Sequence, residues 1–125
     1  MKWVVFFLYN IHEGEIMNKE YIIRKNEEIS LIVKTGNKKV TKFFIIYYIN
    51  NDEAKNMYCI SVSKKLGKAY VRNKIKRRAK NIIDNNKNTI QNGYDYVIIV
   101  RKGILELTYK DMEKELLKLI KSIGD

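Results

Sequence analysis

The spacing of apolar side chains predicts three helices and four strands in this chain. Apolar residues three and four positions apart predict a short helix ending at Thr35, a longer one after Gly67 and a last one beginning at Thr108. The predicted order is helix, three strands, helix, strand, helix, with no internal repeat or linker. Runs rich in β-branched and aromatic residues place the strands at residues 38–41, 43–49, 57–63 and 94–101.

Residues typical of helix ends support the first and last of these helices. Asn26 is a suitable N-cap, and Gly36 is placed to end the first helix. Thr108 and Asp111 have the spacing of a capping-box-like start for the last helix. Both helices are therefore expected to begin and end close to these positions.

The second strand, 43–49, is apolar on both faces and should lie near the middle of a sheet. The third strand, 57–63, follows a polar turn and is expected to pair with the second as a hairpin. A chain of 125 residues is long enough for one hydrophobic core and too short for two. We therefore predict a single-domain α+β fold in which a four-stranded sheet packs with helices.

The segment from Ser61 to Lys80 contains nine basic residues and no acidic one. Its apolar residues recur at the spacing of one helical face, which should sit on the core. Repulsion between like charges on a helix costs about 0.2–0.5 kcal/mol per pair, so a bound polyanion explains the pattern better than a solvated face. The cations are predicted to bracket the buried face, with Arg72, Lys76 and Lys80 on one flank, Lys74 and Arg78 on the other, and Asn73 and Arg77 opposite.

The whole chain is basic, since 25 Lys and Arg residues outnumber 14 Asp and Glu residues and give a net charge of +11. This balance suits a phosphate backbone or an anionic membrane surface. The apolar run from Trp3 to Tyr9 is too short for a membrane span, and no small-residue cleavage site follows it. The chain has one cysteine, Cys59, and one histidine, His12, so an internal disulfide and a metal cluster of these residues are not expected. A reducing cytoplasm is the simplest setting for such a protein.

The order of residues around the basic segment resembles the protein subunit of bacterial ribonuclease P. That family has a strand ending in a Ser-Val-Ser-Lys-Lys-like run, a Gly turn and a helix that opens with Arg-Asn-Arg and continues with Ile-Lys-Arg. Here the run is Ser61 to Lys65, the glycine is Gly67, and the helix motifs lie at 72–77. Lys74 replaces the usual second arginine, which keeps the charge and loses the planar fork for phosphate. The resemblance extends from about residue 21 to residue 123.

The resemblance implies a ribosomal protein S5 domain 2-like fold with a left-handed βαβ crossover, whereas general rules favour a right-handed one. It also implies partners, namely the catalytic RNA subunit of ribonuclease P and precursor tRNA, whose 5′ leader is removed by the RNA with bound Mg²⁺. The residues that the resemblance implies for RNA binding are Ser63, Lys64, Lys65, Lys68, Arg72, Asn73, Lys74, Lys76, Arg77 and Lys80. The resemblance also implies that Ile29, Val33 and Tyr47 line the cleft that holds the single-stranded leader. At the first two of these positions the chain has aliphatic residues where the family has aromatic ones.

No catalytic or metal-binding residue is predicted in the protein itself. The candidate carboxylates are assigned to helix starts and a turn, and none is joined by a histidine base: Glu27, Glu28, Asp52, Glu53, Asp111 and Glu115. The chain is therefore expected to act as part of the ribonuclease P holoenzyme, an endoribonuclease. The alternative is a non-enzymatic RNA-binding module such as a ribosomal protein. A DNA-binding regulator is disfavoured because the basic helix is flanked by strands, and no membrane partner is expected.

Residues 1–16 precede the region of resemblance. We expect them to be an upstream extension, with Met17 as the natural start and 17–125 as the ribonuclease P protein domain. The alternative is a short added strand or helix that packs on the domain.

Overall fold

The computed structural model describes residues 26–52 and 56–123, and the predictions for residues 1–16 lie outside this part of the chain. The predicted order of helices and strands is confirmed. Short 3₁₀ turns lie at Lys64–Leu66, Lys87–Thr89 and Lys102–Glu106. The main elements are α1 (Asn26–Thr35), β1 (Asn37–Val40), β2 (Phe44–Asn50), β3 (Met57–Val62), α2 (Ala69–Asn85), β4 (Tyr94–Val100) and α3 (Tyr109–Lys121).

The four strands form one sheet in the order β1-β2-β4-β3. β2 is antiparallel to β1 and to β4, while β3 is parallel to β4. The prediction that the second and third strands pair as a hairpin is wrong, because β4 lies between them: Tyr96 has Tyr48 as its partner on one side and Tyr58 on the other. The α+β class is confirmed, and the left-handed crossover of β3-α2-β4 stays a prediction.

β4 takes the inner position because its side chains are buried on both faces. Tyr96, Val97 and Ile98 are fully buried in succession, and such a strand needs a neighbour at each edge and a layer on each face. A chain that returns from β3 through α2 can place β4 in this position, since parallel neighbours require a long crossover.

Helices cover both faces of the sheet. Alternate residues of the strands, among them Phe44, Ile46 and Ile98, join the apolar sides of α2 and α3 in the larger hydrophobic core. The opposite face packs against α1 in a smaller core that we call the α1 core. Its buried members are Ile29, Ile32, Val33, Tyr47, Cys59 and Val97.

The end of α1 and the start of α3 lie at the predicted residues, while the role of Asn26 as an N-cap stays a prediction, because α1 already begins at Asn26. The Oγ1 atom of Thr108 accepts a hydrogen bond from the N–H of Asp111 at 3.2 Å, which caps α3. α1 ends at Thr35, and a Cβ added to Gly36 would lie 2.5 Å from the carbonyl oxygen of Ile32 and 2.8 Å from that of Tyr48. Glycine at this position therefore lets the end of α1 approach β2 closely.

Candidate nucleic-acid interface

The basic segment begins with a tight turn that directs two lysines to solvent. The Oγ atom of Ser63 accepts the N–H of Lys65 at 3.1 Å and caps the 3₁₀ turn after β3. Leu66 is buried in the larger core, so it anchors the turn while Lys64 and Lys65 are exposed. A strand end, a cap and a buried anchor thus fix the place where the two cations leave the sheet.

Gly67 connects this turn to α2. Its φ of +147° lies in a region that side chains other than glycine rarely adopt. Lys68 then serves as the N-cap residue of α2, and its carbonyl accepts the N–H groups of Val71 and Arg72 at 3.0 and 3.1 Å. The first turn of α2 has no acidic residue, so the positive end of the helix dipole lies beside exposed Lys68 without a local countercharge on the helix.

One side of α2 forms an exposed ridge. Its members are spaced four, three and four residues apart, which places them along one line of the helix. All four are exposed: Tyr70, Lys74, Arg77 and Asn81. Lys74 and Arg77, predicted to bind RNA, therefore present their charges to solvent.

Arg72 and Lys76 do not lie on an exposed flank of α2. The side chains are 8% and 3% exposed, and the prediction that they form a solvent-facing flank is wrong. The buried arc is wider than the apolar stripe, because α2 packs against both β3 and α3. Long basic side chains can line such an arc with their aliphatic stems.

The two buried cations have identifiable neighbours. The Nε atom of Arg72 donates a hydrogen bond to the carbonyl oxygen of Gly67 at 3.2 Å. Lys76 lies close enough to Cys59 for its charge to act on the thiol. Burial raises the pKa of Cys59 to about 12, and the Lys76 charge opposes that rise. Arg72 is therefore bonded to the turn before α2, and Lys76 lies near Cys59 of the α1 core.

Asn73, Lys80 and Arg78 lie at the sides of α2, half-buried between the ridge and the interior. The Oδ1 atom of Asn73 is buried and has no hydrogen-bond partner in the described part of the chain, and the same is true of the Oγ atom of Ser61. Of the ten residues predicted to bind RNA, the five that are exposed lie on the turn and the ridge: Lys64, Lys65, Lys68, Lys74 and Arg77.

The three residues predicted for the leader cleft come together in the α1 core. Ile29 is fully buried, while Val33 and Tyr47 keep 8% and 9% of their surface exposed. Burial also raises the pKa of the Tyr47 hydroxyl. All three are packed side chains with little open surface, and their role in leader binding stays a prediction.

Tyr70 is not among the residues predicted to bind RNA. Its sequence position could have indicated it, because residues four positions before Lys74 and seven before Arg77 share a helix face with them. Tyr70 is 70% exposed.

The carboxylates do not form a metal site in the described ranges. No group of three or more His, Cys, Asp or Glu side chains there could hold an ion. Asp84 lies 3.4 Å from the Nζ atom of Lys87, and Glu106 lies 3.7 Å from that of Lys42. Over the same ranges, no helix is long and apolar enough to cross a membrane.

The fold and the charge pattern define a class: a small α+β domain whose cations are gathered on one helix and the turn before it, as in nucleic-acid-binding proteins. Residues 17–124 match the family model described as Ribonuclease P. The chain belongs to the ribonuclease P protein component family.

Individual relatives agree with this assignment. The chain is 38% identical over 108 residues to the ribonuclease P protein component of Streptococcus agalactiae serotype III, covering 86% of this chain and 98% of that protein. The solved RNase P protein from Thermotoga maritima is similar with a TM-score of 0.78 and 32% identity, over 82% of this chain and 97% of that one. The Staphylococcus aureus RNase P protein gives a TM-score of 0.77 and 32% identity, over 83% and 95%. The resemblance first seen in the basic segment is thus confirmed.

Proposed function

We propose that this chain binds the catalytic RNA of a bacterial ribonuclease P and supports removal of the 5′ leader from precursor tRNA. The observation that carries the proposal is membership of the family over residues 17–124. The exposed cations of the turn and ridge agree with it, because they supply a surface for a phosphate backbone. The cytoplasm is the proposed compartment.

RNA binding is assigned first to the exposed cations. Lys64, Lys65 and Lys68 surround the N-terminal end of α2, and Lys74 and Arg77 continue along its ridge. Each phosphate neutralised by such a residue releases condensed counterions, which favours binding at low salt.

The two buried cations are assigned a structural role. Arg72 holds the turn through its hydrogen bond to Gly67, and Lys76 lies beneath the ridge near Cys59. Both side chains support the surface from the interior, so their contribution to RNA binding is indirect.

The chemistry is assigned to the RNA subunit. Mg²⁺, held mainly by that RNA, would activate the attacking water and stabilise the leaving oxygen. The protein would bring two polyanions together by neutralising part of their charge. Its described carboxylates include members of single ion pairs and a residue at a helix start, Asp111, which suits a supporting subunit.

Leader binding is assigned to the α1 side of the sheet. Tyr47 is the single aromatic residue among the buried members of the α1 core, and an aromatic ring is the group that stacks best on an unpaired base. Ile29 and Val33 would pack beside it from α1. Contacts of this kind tolerate many leader sequences, as a processing enzyme for many tRNAs requires.

Cleavage of a precursor tRNA at low Mg²⁺ tests the proposal. A bacterial catalytic RNA is assayed alone, with this protein, and with a variant in which Lys64, Lys65, Lys74 and Arg77 are each replaced by Gln. We expect protein-dependent release of the 5′ leader, none from protein alone, and a large loss of stimulation by the variant. RNA binding without any stimulation of cleavage would contradict the proposal and favour a ribosomal-type RNA-binding module.

A further inference from the structure

Tyr70 is an exposed aromatic ring in the middle of the cationic surface. At 70% exposure it exceeds the other exposed large apolar residues of the described chain, Leu31, Val40 and Leu105. The remaining described aromatic residues are buried or half-buried. Within the described ranges the Tyr70 ring makes no hydrogen bond or ring contact, so packing of the fold does not account for it.

The position of Tyr70, rather than its exposure alone, suggests a ligand. Single exposed apolar residues are common on protein surfaces. Tyr70, however, shares the ridge with Lys74 one turn further on and with Arg77 one turn beyond that, and it lies two residues after Lys68. Over about 10 Å of helix the ridge therefore presents a ring followed by two cations. An unpaired nucleotide has the matching groups, a flat base and flanking phosphates.

We propose that Tyr70 stacks on an unpaired base of the catalytic RNA while Lys74 and Arg77 contact the neighbouring phosphates. This inference rests on the proposed function. The base must be unpaired, because bases in an RNA helix do not expose their flat faces to side chains. The catalytic RNA is preferred over the leader because the ridge lies on the exposed side of α2. The α2 side chain near the α1 core, where the leader residues lie, is instead the buried Lys76 beside Cys59.

Three variants separate stacking from charge and from folding. Tyr70→Phe keeps the ring, Tyr70→Leu keeps an apolar side chain without it, and Leu105→Ala removes an exposed apolar residue outside α2. Affinity for the catalytic RNA alone is measured by titration at several salt concentrations. We expect Tyr70→Leu to bind roughly tenfold more weakly, as for the loss of one base stack on an aromatic ring. Tyr70→Phe and Leu105→Ala should bind as the unchanged protein does.

Salt dependence provides a second measurement. Because stacking releases no counterion, the slope of log affinity against log salt should be the same for Tyr70→Leu and the unchanged protein, while Lys74→Gln should lower it. Equal affinity of Tyr70→Leu and the unchanged protein would overturn the inference. So would a loss seen only with precursor tRNA that carries a leader. Failure of the unchanged protein to bind the catalytic RNA would instead overturn the proposed function.

Discussion

The Nε atom of Arg72 donates a hydrogen bond to the carbonyl oxygen of Gly67, 3.2 Å away. The bond joins the first turn of α2 to Gly67, whose φ of +147° lies in a region that other residues rarely adopt. Because Arg72 is largely buried, its guanidinium shapes the turn from within. The bond therefore ties the start of α2 to the end of the turn that carries Lys64 and Lys65.

A buried and an exposed arginine on the same helix should therefore respond differently to substitution. Arg72→Met keeps an unbranched stem and removes the donor, and we expect it to lower the free energy of unfolding by about 1–3 kcal/mol. Arg77→Gln removes an exposed charge and should leave the free energy of unfolding within about 0.5 kcal/mol. Urea titrations of the two variants measure this difference.

Binding to the catalytic RNA should depend on Arg77 and not on Arg72, the reverse of what is expected for stability. Arg77→Gln should lower the salt slope of binding to the catalytic RNA by about 0.7–0.9 for the lost phosphate contact. Arg72→Met, compared under conditions where it is folded, should keep the slope. A larger change of slope for Arg72→Met than for Arg77→Gln would mean that the buried arginine reaches the RNA.

Asn56 should be important for stability, because its amide joins the starts of β3 and β4. Its Nδ2 atom donates to the carbonyl oxygen of Gln91 at 2.8 Å and its Oδ1 atom accepts the N–H of Tyr94 at 2.9 Å. Asn56→Ala leaves these groups without a partner and should cost about 2–4 kcal/mol of unfolding free energy. Asn88→Ala is the matched control, because Asn88 is exposed and lies, like Gln91, in the segment between α2 and β4. Similar melting curves for both variants would contradict this role.

The sequence predicted the elements of the fold better than their neighbours in the sheet. The apolar runs around Ile46, Cys59 and Ile98 identified β2, β3 and β4, because burial on two faces leaves a direct pattern. The same runs do not identify the pairing partner of each strand. A hairpin between β2 and β3 is the pairing that neighbouring strands in sequence favour, but the crossover through α2 places β4 between them. The order of strands in the sheet therefore depends on contacts between residues distant in sequence.

The candidate site shows the same limit. Helical spacing correctly put Lys74 and Arg77 outside the buried face, and it wrongly left Arg72 and Lys76 exposed. Periodicity locates the centre of a buried arc, whereas the width of the arc depends on how many neighbours cover the helix. Here β3 and α3 both pack on α2, so two basic side chains enter the interior.

The thiol of Cys59 should be protected in the folded protein. The side chain is buried, and burial raises its pKa from an ordinary value near 9 to about 12. At pH 8 a thiol reagent should thus react only with opened molecules, and the rate should increase with urea as unfolding does. Fast labelling of Cys59 without denaturant would contradict the buried placement.

The raised pKa also predicts a pH dependence of stability. The unfolded thiol loses its proton near pH 9 while the folded one keeps it up to about pH 12. The stability that the folded protein gains from keeping this thiol protonated is therefore fully present below pH 9 and is lost as the pH rises towards 12. Relative to Cys59→Ala, which has no thiol, the unchanged protein should lose on the order of 1–2 kcal/mol of unfolding free energy between pH 8 and pH 10.5. A constant difference between the two proteins would contradict the shift.

Tyr47 tests whether the α1 side of the sheet holds the leader. Tyr47→Phe keeps the ring, and Tyr47→Leu removes the aromatic face that would stack on a base, at a cost of about 1–3 kcal/mol in leader binding. The measurement is the ratio of affinities of the holoenzyme for precursor tRNA with and without a leader. We expect the ratio to fall for Tyr47→Leu and to hold for Tyr47→Phe, with binding to the catalytic RNA unchanged in both. Because Tyr47 packs with Cys59 and Val97 in the α1 core, an equal loss of leader binding and catalytic RNA binding, together with a lower melting temperature, would show that its ring serves packing alone.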